Sequence, residues 1–167
     1  MDNKIYLGID IGKKGGICFL DPNNPEIKMQ AIPLNNEGEL DIFSMYSILI
    51  MYPNIHVVFE YLTPLHLASK KSNWSLSFQA GAIEALCIAM KIPFSRVPPK
   101  VWQKKMFEKL PPLRKESGSS DTKELALIAV KILYPDLKLP CTPRSKTILD
   151  GVVDSVLLAT YGKQLNL

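Results

Sequence analysis

Three apolar runs crowd into the start of the chain, "KIYLGID" (4–10), "GICFL" (16–20) and "EIKMQAIPL" (26–34), with only "IGKKG" and "DPNNP" between them. A parallel crossover needs a dozen or more residues. Gaps this short, rich in Gly, Pro and Asn, therefore oblige neighbouring strands to run antiparallel, as a meander. After Leu34 the pattern changes. Leu40–Met51 has helical periodicity, and "NIHVVFEYL" (54–62) is the short continuous apolar run expected of a buried parallel strand reached by a crossover. Helical spacing returns in "SLSFQAGAIEALCIAMK" (75–91), followed by a strand in "IPFSRVPP" (92–99) and a short basic helix in "KVWQKKMFEKL" (100–110). "PPLRKESGSS" (111–120) reads as a loop, and Asp121 with Glu124 as the cap of a helix through Tyr134. A second loop, "YPDLKLPCTPRSK" (134–146), leads to a last helix from about Thr147 to Gln164. Three meandering strands and then alternation predict an α/β fold, and 167 residues suit a single domain over 1–167.

Cys18, Cys87 and Cys141 are far apart and form no CxxC pair. They predict packing roles in a reducing compartment and no thiolate metal site. The first apolar run is too short for a signal or membrane segment, so the expectation is a soluble, cytoplasmic protein with no membrane partner. An organellar or viral source stays open. The net charge of +4 is unevenly spread. From Arg96 to Lys115 seven cations (Arg96, Lys100, Lys104, Lys105, Lys109, Arg114, Lys115) face one anion, Glu108, giving +6 and leaving −2 for the rest. Such a segment suits phosphate binding, with nucleic acid the large partner. Charge alone equally allows a solvated helix face.

Four carboxylates stand in apolar settings. Asp10 ends the first run, Glu60 ends "VVFE", and Asp150 and Asp154 open "LDGVVDSVLLATYG". The last two, at i and i+4, share one helix face and repel each other, with no cation between them in sequence. A hard divalent cation would relieve that repulsion, and Mg²⁺ or Mn²⁺ takes such oxygen ligands. Two ions held this way activate water and stabilise a phosphodiester leaving group. Separately, each acid has a plain structural reading: Asp10 as a turn residue, Asp150 as a helix-start charge, Glu60 as an exposed strand end. Asp154 is the hardest to place so, being flanked by Val152, Val153, Val156, Leu157 and Leu158.

In order and over nearly the whole chain, "GIDIG", "VVFE", "VPPKVWQKK" and "DGVVDSVLLATYG" resemble the RuvC-type Holliday junction resolvases. The resemblance implies a ribonuclease H-like fold, a central mixed five-stranded sheet flanked by helices. It further implies a homodimer that cuts four-way DNA junctions by paired symmetric nicks, with Mg²⁺ or Mn²⁺, two ions per site, held by four acidic positions. It carries the first acid to Asp10, the second to Glu60 and the last to Asp154. The third departs: many members place it three residues before the last, where Gly151 stands here, and this chain offers Asp150 at four. The position nearest the lysine of the family's basic helix is Gln103, with Lys104 and Lys105 beside it, and Lys123 resembles the other family lysine.

Other residues complete the expectation. His56 and His66, the two histidines, lack ligand spacing and face no evident nucleophile. Trp74, in the polar stretch "SKKSNWS", suits stacking on an unpaired base or anchoring a loop. Lys70, Lys71, Arg144 and Lys146, read as loop cations bracketing the acids, suit phosphate contacts together with Lys100, Lys104, Lys105 and Lys115. Gly81 permits close helix contact, at a dimer interface or within the core. The sequence thus predicts a metal-dependent, junction-resolving endonuclease. Two alternatives remain: a nuclease of the same fold acting on other branched DNA or on RNA–DNA hybrid, and a junction-binding protein without catalysis.

Overall fold

The structure, a computed structural model, describes residues 4–60, 69–115, 117, 120–142 and 147–167. Strand β1 (Ile5–Asp10) pairs antiparallel with β2 (Gly16–Leu20), which pairs antiparallel with β3 (Lys28–Ala31). On its other edge β1 runs parallel to β4 (Ile55–Glu60), and β4 runs parallel to β5 (Phe94–Val97). The order β3-β2-β1-β4-β5 is the expected mixed five-stranded sheet. Helix α1 (Ile42–Ile50) makes the crossover from β3 to β4, and α2 (Lys70–Ala89) the one from β4 to β5. Then come α3 (Pro99–Met106), α4 (Thr122–Leu133) and α5 (Asp150–Leu165).

The two-residue strand period sorts side chains into two cores. Leu7, Ile9, Ile17, Phe19, Val57 and Phe59 join residues of α1 and α2 on one face. Tyr6, Cys18, Leu20 and Val58 join α3, α4 and α5 on the other. Asp10 and Glu60 continue the second set, since each follows a member of it at even spacing. Helix α5 crosses β1 at Gly8, where a Cβ would lie 2.5 Å from the Ala159 nitrogen. Only a missing side chain lets the helix settle that close. Among the described residues, no helix is long and apolar enough to cross a membrane.

Three boundaries differ from the sequence reading. Helix α2 begins at Lys70, not Ser75, because Ser69 caps it: its Oγ accepts from the Ser72 N–H at 3.1 Å. Lys70, Lys71 and Trp74 are therefore helical and not in a loop. Helix α5 begins at Asp150, because the preceding residues are committed to a hairpin-like pairing. There Thr142 N–H donates to the Thr147 carbonyl at 2.8 Å and Cys141 bridges Ile148. Strand β3 is shorter than "EIKMQAIPL", ending ahead of Pro33, which has no N–H to give a ladder. The cap at Asp121 is as expected, its carboxylate accepting from the Glu124 N–H.

Candidate functional site

Asp10 and Glu60 end two adjacent parallel strands whose register pairs Ile9 with Phe59, so both carboxyls emerge at the same edge of the same sheet face. The N-terminus of α5 arrives at that edge. Gly151 packs against the β1–β2 turn, and a Cβ on it would sit 2.6 Å from the Gly15 Cα and 2.7 Å from Asp10 Oδ2. No side chain fits at 151, which explains in steric terms why the acid of this turn is Asp150. One helical turn later Asp154 lies half-buried on the same helix.

The four acids sense one another. Burial, then Asp154, Glu60 and Asp150, holds the Asp10 carboxyl well above the ordinary carboxylate range. Burial, then Glu60 and Asp150, pushes Asp154 up to about 7, against a smaller opposing pull from Lys123. Burial raises Glu60 too, partly offset by a hydrogen bond in which Trp102 Nε1 donates to Glu60 Oε1 at 2.8 Å. Asp150 is the exposed member, with Lys123 Nζ of α4 2.6 Å from its Oδ2. That pairing corrects the expectation that the Asp150–Asp154 repulsion goes uncompensated: the cation comes from 27 residues upstream. The same hydrogen bond and charge raise the Lys123 pKa, so it stays protonated.

Two of the acids, Asp150 and Asp154, line a cavity of about 300 Å³ with Lys115 and Lys123, Ile148 and Val153 being among its apolar walls; Asp10 and Glu60 are not in that lining. Among the described residues, no three Asp, Glu, His or Cys side chains enclose an ion position as they stand. The donor set nonetheless fits a hard divalent cation. Its atoms are all oxygen, three of its four carboxyls are desolvated, and their shared repulsion falls when positive charge is inserted.

The other expected residues are dispersed. Lys104 and Lys105 line a groove with Tyr161 and Leu165, at the C-terminal end of α5, about three turns from Asp150. Of the candidate catalytic lysines, the structure brings Lys123 to the acids and leaves Lys104 away from them. Arg96 pairs with Glu84 at 3.2 Å and Lys105 with Glu108 at 3.0 Å, so the basic segment is divided among several surfaces. Lys100 is exposed in the first turn of α3. Lys71 and Trp74 line a groove of about 710 Å³ with Lys13 and Lys14, two cations that the sequence reading left as turn residues. Their signal was their place in the turn directly after Asp10. Lys70 is exposed nearby on α2. His56 is buried and shares a 2.9 Å hydrogen bond with Ser95. His66, Arg144 and Lys146 lie outside the described residues.

No family model matches the sequence, and no curated protein matches it. Solved structures do. RuvC of Thermus thermophilus, in a complex with a Holliday junction substrate, has a TM-score of 0.60 at 11% identity, covering 96% of each chain. A second T. thermophilus RuvC structure gives 0.59 at 11% identity, over 97% of this chain and 96% of that one. The yeast mitochondrial Holliday junction resolvase gives 0.52 at 18% identity, over 98% of this chain and 81% of that one. Identities this low establish architecture: the chain has the ribonuclease H-like fold of the RuvC-type resolvases along nearly its whole length.

Proposed function

We propose that the protein is a divalent-metal-dependent endonuclease that resolves four-way DNA junctions, acting as a homodimer to place paired nicks. The observation that carries this reading is the convergence of Asp10, Glu60, Asp150 and Asp154 from two strand ends and one helix start. Asp10, Glu60 and Asp154 are desolvated and repel one another, and Lys123 pairs with the exposed Asp150, so ionising the three buried acids together is costly without a further cation. In such a set Mg²⁺ or Mn²⁺, as one ion or two, supplies activation of water and stabilisation of charge developing on the phosphate.

The chain's own residues do the rest. Asp10, Glu60 and Asp154 present buried oxygens to the cation, and the Trp102 N–H fixes one oxygen of Glu60. Lys123, anchored by Asp150 at the cavity mouth, offers a fixed positive charge where a scissile phosphate must approach. Lys115 on the same cavity, and Lys13, Lys14 and Lys71 in the neighbouring groove, suit backbone phosphates on either side. Trp74 stands 61% exposed beside those lysines, placed to stack on an unpaired base.

Dimerisation is supported by the outer face of α2. Phe78, Gly81, Ala85 and Ile88 are exposed at steps of three, four and three, the spacing of a helix–helix seam. Gly81 has open space where its Cβ would be, leaving room for a second helix. The T. thermophilus neighbour bound to a Holliday junction lends the substrate class.

The test is a cleavage panel of four-way junction, flap, RNA–DNA hybrid and linear duplex with Mg²⁺, with Asp10→Asn as control. Preferred symmetric cutting of the junction is expected. Preference for flap or hybrid would reassign the substrate within the fold, and metal-independent binding without turnover would make the protein a junction binder.

A further inference from the structure

We propose that Trp102 is a positioning residue for the cation site: its indole N–H holds one carboxylate oxygen of Glu60 so that the other is the one presented to metal. The inference rests on the metal-dependent reading above and goes beyond it by assigning a role to a residue that touches neither metal nor DNA.

The geometry is specific. Trp102 is fully buried, at 0% exposure, and Phe107 packs edge-on against it with ring centroids 6.0 Å apart. Its helix is fixed at the start by Pro98 and Pro99 directly after β5. An indole has one polar atom and that atom only donates. A buried indole normally finds an acceptor among backbone carbonyls or hydroxyls. Here it spends its N–H on Glu60 Oε1, at 2.8 Å, across 42 residues of sequence.

The consequence concerns the flexible partner. Glu60 has three side-chain torsions, and an unheld carboxylate loses that freedom on binding a cation. With Oε1 occupied by a donor that cannot itself move, the carboxylate plane is set in advance, and among the described residues no hydrogen bond occupies Oε2. Outer partners of this kind typically contribute 10–100-fold to metal affinity or activity. The two-layer packing also gives a reason for the large aromatic in "KVWQKK": α3 brings a rigid donor to a strand-end acid toward which α5 presents a carboxylate, Asp154.

The test is Mn²⁺ binding to the DNA-free protein, followed by electron paramagnetic resonance of the unbound ion, with thermal melting in chelator alongside. Trp102→Phe should weaken Mn²⁺ by about tenfold. Because that change also alters core volume, a second variant carries benzothienylalanine at position 102, which keeps the ring shape and replaces only the N–H by sulfur. It should melt closer to the parent than Trp102→Phe does, short only by the lost hydrogen bond, and bind Mn²⁺ as weakly as Trp102→Phe. On a Glu60→Ala background, which removes the acceptor, Trp102→Phe should cause no further loss. Parent-like Mn²⁺ affinity of the benzothienyl protein would overturn the proposal, as would an undiminished second loss on the Glu60→Ala background. Failure of the parent protein to bind Mn²⁺ saturably would remove the metal reading itself.

Discussion

The raised pKa of Asp154 makes a stability prediction that needs no DNA and no catalysis. In the unfolded chain its carboxyl titrates at the ordinary value of 3.8, whereas in the folded protein burial, Glu60 and Asp150 push it to about 7. The folded state therefore holds the proton more tightly. Between those two values it binds more protons than the unfolded state, so stability must fall as pH rises through the window and level off above it. A difference of about 3 units, at 1.36 kcal/mol each, sets a loss of about 4 kcal/mol in the metal-free protein at pH 8. Asp154→Asn resembles the protonated acid and escapes that loss. In chelator the variant should match the parent near pH 4 and exceed it at pH 8. At 2–4 °C per kcal/mol for a domain of this size, the gap in Tm should approach about 10 °C. Circular dichroism melts from pH 4 to 8.5 measure it; each pH compares parent with variant, so titrations remote from the site cancel, while Asp10, relieved of the Asp154 charge, adds to the variant's gain at high pH. Mg²⁺ at pH 8 should then raise the parent's Tm more than the variant's, because the cation stabilises the ionised acids. Parallel pH profiles in chelator would refute the reasoning, since Asp154 would then be no more costly to ionise folded than unfolded.

Further outcomes follow from the same geometry. Asp10→Asn should abolish junction cleavage while leaving binding within a few-fold, because affinity comes from cations on phosphates; Asp150→Asn, at the exposed edge, should cost at least about tenfold in rate but less than Asp10→Asn, both read by gel analysis of cleavage. Gly8→Ala should destabilise the fold by about 3 kcal/mol or more, measured by urea unfolding, since α5 would have to lift off β1. Lys115→Ala should lower the salt slope of junction binding by about one unit, whereas Lys104→Ala, remote from the acids, should change it less. Phe78→Glu should shift the protein toward monomer in analytical ultracentrifugation and leave its circular dichroism spectrum unchanged.

The sheet was legible because its constraints are local. Gaps of five residues between apolar runs permit only antiparallel neighbours, and the later runs are too far apart for anything but crossovers. The helix starts at Lys70 and Asp150 were not legible, for opposite reasons. "SKKSNW" is polar on every face because the outer surface of α2 faces solvent there, so periodicity has nothing to register, and only the capping serine marks the true start. Before Asp150 the sequence looks helical enough, yet Thr147 and Ile148 pair with Thr142 and Cys141. That competition is tertiary, and no window of sequence contains it.

The site divides along the same line. The four acids were legible only together: separately Asp10, Glu60 and Asp150 each have a plain structural reading, and it is their order along the chain, with the resolvase resemblance, that groups them with Asp154. Of their partners, Lys123 was reached through the resolvase resemblance alone and the Trp102 hydrogen bond not at all: Lys123 lies in a different helix from Asp150, and Trp102 in a different layer from Glu60. The basic segment misled in the other direction: clustering along the chain suggested one phosphate-binding face, but the turn from β5 through α3 sends Arg96 to Glu84, Lys105 to Glu108 and Lys115 to the cavity of the acids. Charge density in sequence becomes charge density in space only where the backbone stays straight. The cations beside Asp150 and Asp154 instead come from the loop after α3 and from α4, while those of the β1–β2 turn and α2 line a separate groove; α5, bare at Gly151 and facing Gly8, lies flat on the strand that ends in Asp10 and so brings its acids to that strand's end.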